Sequence, residues 1–166
     1  KRISSFLNAL KKQNISKKNL INSINKFKSG RVIVLGDTII DQYIDSEPLG
    51  ISAEAPVIVV KEIKRKNFIG GSAIVASHVK SLGSSCKYIS VIGNDSINKF
   101  LEENLTLRKV DFSLLKDTKR PTTIKKRYLV DNQKIFRVSR LEENTIDKEI
   151  EDEIIKLILV KCKELD

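Results

Sequence analysis

The 166-residue sequence has no methionine, no tryptophan, a single histidine and two cysteines. The two cysteines, Cys86 and Cys162, have no metal-type spacing. They are expected to be reduced thiols, as in a cytosolic protein. The lone His78 lies beside Ile74, Val75, Val79 and Leu82 on a predicted helix, so we expect it packed or half-buried rather than acting as a ligand or base. No Ser/His/Asp or Cys/His set can be assembled around it. No apolar run approaches the ~20 residues of a membrane span. The N-terminal KRISSFLNALKKQN is broken by polar residues too early for a signal peptide. These absences lead us to expect a cytoplasmic protein with no membrane partner. A chain that starts at Lys1 and lacks methionine is expected to be part of a longer product.

Acidic residues are scarce in one place. Residues 1–29 hold eight Lys or Arg and no acid, which accounts for +8 of the net +10. A charge of that size raises the question of nucleic acid or another anionic surface. Its confinement to one end argues against nucleic acid, as does an aromatic content of 5% with no stacking platform among the basic residues. Residues 1–30 are read as a solvated basic helical arm. Ile3, Phe6, Leu7 and Leu10 share one face, and Leu20, Ile21, Ile24 and Phe27 another, with Ser16 as N-cap and Gly30 as the stop.

Beyond the arm the pattern is α/β. RVIVLGD (31–37) and CKYISVIGND (86–95) read as strands buried on both faces, as in a parallel sheet. Between them, residues 39–45 and 57–64 read as further strands, separated by SEPLGISAEAP, and 71–82 as a helix. Asp95 is expected to cap a helix reaching Asn104, and VDFSLL to form a short strand or turn. TTIKKRYLV and KIFRVSR form a predicted hairpin around Asp131-Asn132-Gln133. A long amphipathic helix from Leu141 onward places Ile150, Ile154, Leu157, Ile158 and Cys162 on its apolar stripe and ends at Leu165-Asp166. No strand comes after it, so the α/β unit is expected to be unfinished, with its C-terminal half absent.

In parallel sheets, ligands bind beyond the carboxyl ends of the strands. Gly36-Asp37, Gly93-Asn94-Asp95 and the Gly70-Gly71 helix start are expected to meet at that rim. The stretch IGGSAIVASHVKSLG opens a helix on two glycines, each costing about 1 kcal/mol relative to alanine within a helix. Something must therefore come close to the backbone there, either a ligand at the helix N-terminus or the chain itself in a tight turn. Neither G-x-x-x-x-G-K-[ST] nor G-x-G-x-x-G occurs. Asp37 and Asp41 could accept hydrogen bonds from sugar hydroxyls or cap a turn. Lys125 and Arg127, two apart on a predicted strand, share a face that suits a phosphate or simply faces solvent, with Arg120 and Arg137 nearby.

In this order, these pieces resemble the ribokinase-type (PfkB) sugar kinases, and among them the heptose-7-phosphate kinase domain of ADP-heptose synthases. VIVLGDTIIDQYI resembles the opening strand and its G-D-x-x-x-D, and GISAEAPVIVV the lid segment I-S-P-E-A-P-V-P-V-V. IGGSAIVASHVKSLG resembles the G-G-x-x-N-x-A helix, and RPTTIKKRYLVDNQKIFRVSR the second lid strand pair with T-T-x-K-x-R. The resemblance runs from about Arg31 to the end. It implies a ribokinase-like three-layer sandwich over 31–166, with a mainly parallel sheet and a small β-lid at about 39–64 and 121–140. It also implies transfer of the ATP γ-phosphate, with Mg, to a sugar phosphate. Asp37 and Asp41 would hold sugar hydroxyls, Gly70 and Gly71 would let the sugar approach, and Lys125 and Arg127 would face its phosphate. The lid strands would pair two subunits in a homodimer. The family's G-x-G-D, which carries the catalytic base and anion hole, does not occur here, so no catalytic residue is assigned and the ATP site is expected elsewhere. Ile74 stands where the family has Asn, Gly50 where heptose kinases have Arg, and Ala53 in place of Pro, which keeps open a kinase for another sugar or a nucleoside, or a non-catalytic dimerisation module of the same fold.

Overall fold

The computed structural model describes residues 2–163. The basic arm forms helices α1 (Arg2–Lys12) and α2 (Lys17–Lys26), followed by a 3-10 turn at Phe27–Ser29. The Ser16 hydroxyl accepts from the Asn19 N–H and caps α2, as the sequence predicts. After the arm come β1 (Arg31–Leu35), β2 (Thr38–Ile51), β3 (Ile58–Gly70), α3 (Gly71–Ser81), β4 (Ser85–Gly93) and α4 (Ile97–Leu107). The chain continues through β5 (Asp111–Asp117), β6 (Thr123–Val130), β7 (Gln133–Arg140) and α5 (Lys148–Lys163).

Three strands in the order β1-β4-β5 form an all-parallel sheet. Their side chains alternate between two apolar clusters. Val34, Tyr88, Ile92, Phe112 and Leu114 face α3 and α4, where Ala73, Ala76, Leu101 and Leu105 are fully buried. Ile33, Ile89, Val91 and Leu115 face α5, through Ile150, Ile154, Leu157 and Ile158. Packing on both faces is why β4 reads as a continuous apolar run, and it gives the α/β/α sandwich. β1, expected to be buried on both faces, is instead the sheet edge: none of its residues is buried, and Val32 and Leu35 are exposed.

The lid is a second sheet, in the order β3-β2-β6-β7. β2 pairs antiparallel with β3 and parallel with β6, and β6 pairs antiparallel with β7. Ile40 and Ile69 dock it on the α3 side of the sandwich, with Ile124 beside them.

Several boundaries differ from the sequence reading. Much of SEPLGISAEAP is strand: β2 runs on to Ile51, across register shifts after Asp45 and near Pro48, and the connection shrinks to residues 52–57. β3 continues to Gly70 and enters α3 directly. VDFSLL lies mainly in β5. Residues 141–147 form no helix, because Asn144 and Asp147 are tied to Arg120 and Lys119, and α5 starts only at Lys148. The expected helix end at Leu165-Asp166 lies outside the described residues. His78 and Cys162 are both exposed rather than packed on apolar stripes.

Candidate functional site

The carboxyl ends of β1, β4 and β5 define one rim, and the predicted glycine turns meet there. At the turn from β1 to β2, the Asp37 carbonyl accepts from both the backbone N–H and the hydroxyl of Ser72, at 3.0 and 2.8 Å. Ser72 begins a buried hydroxyl network. Its Oγ lies 2.9 Å from the Tyr88 hydroxyl, which lies 2.6 Å from Thr38 Oγ1. Thr38 completes the network with Ser90, whose Oγ accepts from the Thr38 N–H at 3.1 Å. The network locks the β1–β2 turn to the start of α3 and to β4.

This geometry explains the two glycines. Gly71 has φ +58, and a Cβ there would lie 2.5 Å from the Asp37 carbonyl oxygen. A Cβ on Gly70 would lie 2.5 Å from Asp41 Oδ2. The atoms that approach the glycines therefore belong to the chain itself: the backbone of Asp37 and the carboxylate of Asp41. Asp37, Asp41, Gly70 and Gly71 are brought together, with the Asp37 side chain exposed and Asp41 half-buried.

The second half of the rim comes from the lid. In the β2–β6 register Asp41 is opposite Lys125, and Tyr43 is opposite Arg127, so all four share one face. The Arg127 guanidinium is paired with the Asp41 carboxylate, and its carbon lies 5.3 Å from the Tyr43 ring centroid. Tyr43 meets Phe68 edge to face at 5.5 Å. Asp41, Tyr43, Asp45, Lys66, Phe68 and Asn132 line a cleft of about 400 Å³. A cleft with carboxylates, an amide, a cation and an aromatic wall has the donors and acceptors a polyhydroxylated ligand needs.

Two sequence expectations are corrected here. Arg120 does not join the cationic face: its Nε donates to the buried Asp117 at 2.9 Å and a terminal nitrogen donates to the Asn144 carbonyl. The Asp95 side chain does not cap α4. Its carboxylate instead accepts from the backbone N–H and hydroxyl of Thr122, at 3.0 and 3.1 Å. The Gly93 N–H donates to Thr122 Oγ1 and the Asn98 amide donates to the Gly93 carbonyl, fixing the start of β6 against the end of β4. Arg137 does stand beside Arg127, across the β6–β7 ladder. Sequence reading missed the hydroxyl network and the Tyr43–Phe68 pair. Ser72, directly after Gly71, was the one local signal for the network. Among the described residues, no group of three or more His, Cys, Asp or Glu side chains could hold a metal ion.

Residues 29–160 match the model of the pfkB family carbohydrate kinases. The chain belongs to the pfkB family. It is 36% identical over 140 residues to the bifunctional protein HldE of Helicobacter hepaticus, covering 84% of this chain and 29% of that protein. It is 40% identical over 108 residues to the D-beta-D-heptose 7-phosphate kinase of Bordetella bronchiseptica, covering 65% of this chain and 34% of that protein. It thus spans about a third or less of the length of these pfkB relatives. The Arabidopsis thaliana ribokinase, solved with ribose and ATP, superimposes with a TM-score of 0.56 at 19% identity, over 67% of this chain and 36% of that one. A carbohydrate kinase from Agrobacterium tumefaciens gives 0.55 at 19% identity, over 66% of this chain and 35% of that one. The pfkB sandwich with its β-lid is therefore the ribokinase-type fold.

Proposed function

We propose that these residues are the sugar-binding and lid-bearing part of an ATP-dependent kinase that phosphorylates a sugar phosphate of the heptose 7-phosphate type. The observation that carries the reading is the meeting of Asp41, Arg127 and Lys125 on one lid face, with the Asp41 carboxylate set against Gly70 at the start of α3. Carboxylates suit hydroxyls, and a guanidinium suits a phosphate through paired charge-assisted hydrogen bonds. Asp37 and Asp41 hold the sugar hydroxyls, and the start of α3 faces the sugar. Lys125 and Arg127 hold the phosphate the substrate already carries. On binding, that phosphate replaces the Asp41 carboxylate as a partner of Arg127 and frees Asp41 for a hydroxyl. ATP and Mg are used by the longer enzyme and bound mainly outside these residues. The protein works in the cytoplasm.

A second reading rests on Ile74. It packs half-buried against the core at the position of the family's Asn, so it supplies no hydrogen bond to a sugar. On that reading the chain has kept the fold as a dimerisation module and lost the site.

The test is calorimetric binding of heptose 7-phosphate and of the unphosphorylated heptose to the chain, to Arg127→Ala and to Asp41→Asn. Loss of Arg127 should weaken binding of the phosphate by about 1.5–3 kcal/mol, roughly ten- to a hundredfold, and leave the neutral sugar little changed. Equal losses on both would make Arg127 a support of the lid. No binding of either sugar to the unaltered chain would favour the module.

A further inference from the structure

Apart from its tie to the α3–β4 turn, the arm is used by neither the fold nor the proposed site. Its two helices leave most of their apolar stripes in the open: Leu10 and Leu20 are half-buried, but Ile3, Phe6 and Leu7 on α1, and Ile21, Ile24 and Phe27 on or beside α2, are all exposed. No residue of α2 is buried, and none of the described α1 side chains is. The lysines beside these stripes are exposed too, and residues 1–29 contain no acid.

We propose that this arm is an interfacial anchor that lays α1 and α2 on an anionic lipid surface. The combination is the one such helices require: short amphipathic segments with Phe and Leu or Ile on one side and lysine on the other, without enough apolar length to span. Charge selects the occupant. A second copy of the arm carries the same +8 and repels it. Nucleic acid would satisfy the lysines but leave six bulky apolar side chains in water. An anionic bilayer takes both, apolar groups below the headgroups and lysines among them.

The attachment point fits this orientation. Phe27 and Gly30 are tied to the α3–β4 turn, by Ser84 Oγ donating to the Phe27 carbonyl at 2.5 Å and the Ser85 N–H to the Gly30 carbonyl at 2.9 Å. That turn lies at the amino ends of β1 and β4, whereas the Asp37–Gly71 rim lies at their carboxyl ends. A chain seated by its arm keeps the rim turned away from the lipid.

The experiment is co-sedimentation of the 166-residue chain with vesicles of phosphatidylcholine alone and of phosphatidylcholine mixed with phosphatidylglycerol, at low and high salt. The chain should sediment with the mixed vesicles only, and less at high salt. The double variant Phe6→Glu/Ile24→Glu should lose binding. Replacing Lys11, Lys12, Lys17 and Lys18 by Gln should weaken partitioning by about a hundredfold or more. Neither set touches a buried residue, and circular dichroism checks that the fold persists. Absence of sedimentation by the unaltered chain overturns the proposal. So does a Phe6→Glu/Ile24→Glu chain that binds vesicles undiminished, or one that keeps a tight hold on duplex DNA or polyuridylate, which would mark a nucleic-acid arm.

Discussion

At Gly71 the constraint is doubly local. Its φ of +58 is a left-handed conformation, and the Asp37 carbonyl occupies the space a side chain would need. Left-handed backbone costs an L-residue about 1–2 kcal/mol before any clash. Gly71→Ala should therefore lower stability by at least about 2 kcal/mol, seen as a melting temperature lower by roughly 5 °C or more; an unchanged melting curve would mean the β1–β2 turn yields freely. Cys86 makes a second prediction. It is buried, and burial is the main force pushing its thiol pKa up, whereas Cys162 is exposed. Above about pH 8.5 the unfolded chain releases the Cys86 proton while the folded chain keeps it. This contribution to stability is thus complete at neutral pH and is lost as pH rises from there through the folded pKa. Urea midpoints at pH 7.5 and 9.5 should fall further for the native chain than for Cys86→Ala. Equal alkaline losses would show that Cys86 is not the group responsible. In the folded chain a thiol reagent should modify Cys162 rapidly and Cys86 only on unfolding.

The elements most open to sequence reading were those whose side chains face one consistent environment. β4 announced itself because both of its faces are buried, and the edge strand β1 because Ile33 and Val34 of its apolar run reach opposite clusters; the βαβ unit came with them. The lid strands were harder. Beyond Ser46, β2 is exposed on both faces and carries Pro48 and Gly50, so neither alternation nor composition marks it as strand; only pairing with β3 holds it there. The hairpin that results exposes Leu49, Ile51, Val57, Ile58 and Ile63. β3 and β7 are also free sheet edges, and such edges pair readily with another chain. We expect the protein to be a dimer through these strands. Light scattering across a concentration series should give twice the chain mass, and Ile58→Glu with Ile63→Glu should shift it toward the monomer without loss of sheet signal by circular dichroism. A native chain that stays monomeric at high concentration would remove the lid from any role in assembly.

In the whole molecule, the parts that position the candidate site come from segments distant in sequence, and this set the limit of legibility. Asp37, Asp41, Gly70 and Gly71 were readable because each sits in a short motif beside a strand or helix end. The hydroxyl network joins Thr38, Ser72, Tyr88 and Ser90, ordinary residues that no spacing connects until β4 lies beside β1. Asp95 was misread for the same reason: its partner Thr122 comes from another element, brought there by the start of β6. What the assembled residues do not contain is equally definite. They hold no G-x-G-D and no Walker loop, and among the described residues no cluster of three or more His, Cys, Asp or Glu side chains suited to a metal ion. Phosphoryl transfer depends on positioning both substrates and stabilising charge between them. On the reading proposed above, these residues would offer one side of that arrangement. We therefore expect the 166-residue chain to bind its sugar phosphate yet transfer no phosphate. Incubated with ATP, magnesium and heptose 7-phosphate, it should release ADP no faster than buffer, while calorimetry on the same sample detects sugar binding that is indifferent to ATP. Turnover above the buffer rate would mean that the base and the nucleotide site are built from these residues after all, with Asp37 and Asp41 as the carboxylates to test first by substitution with Asn.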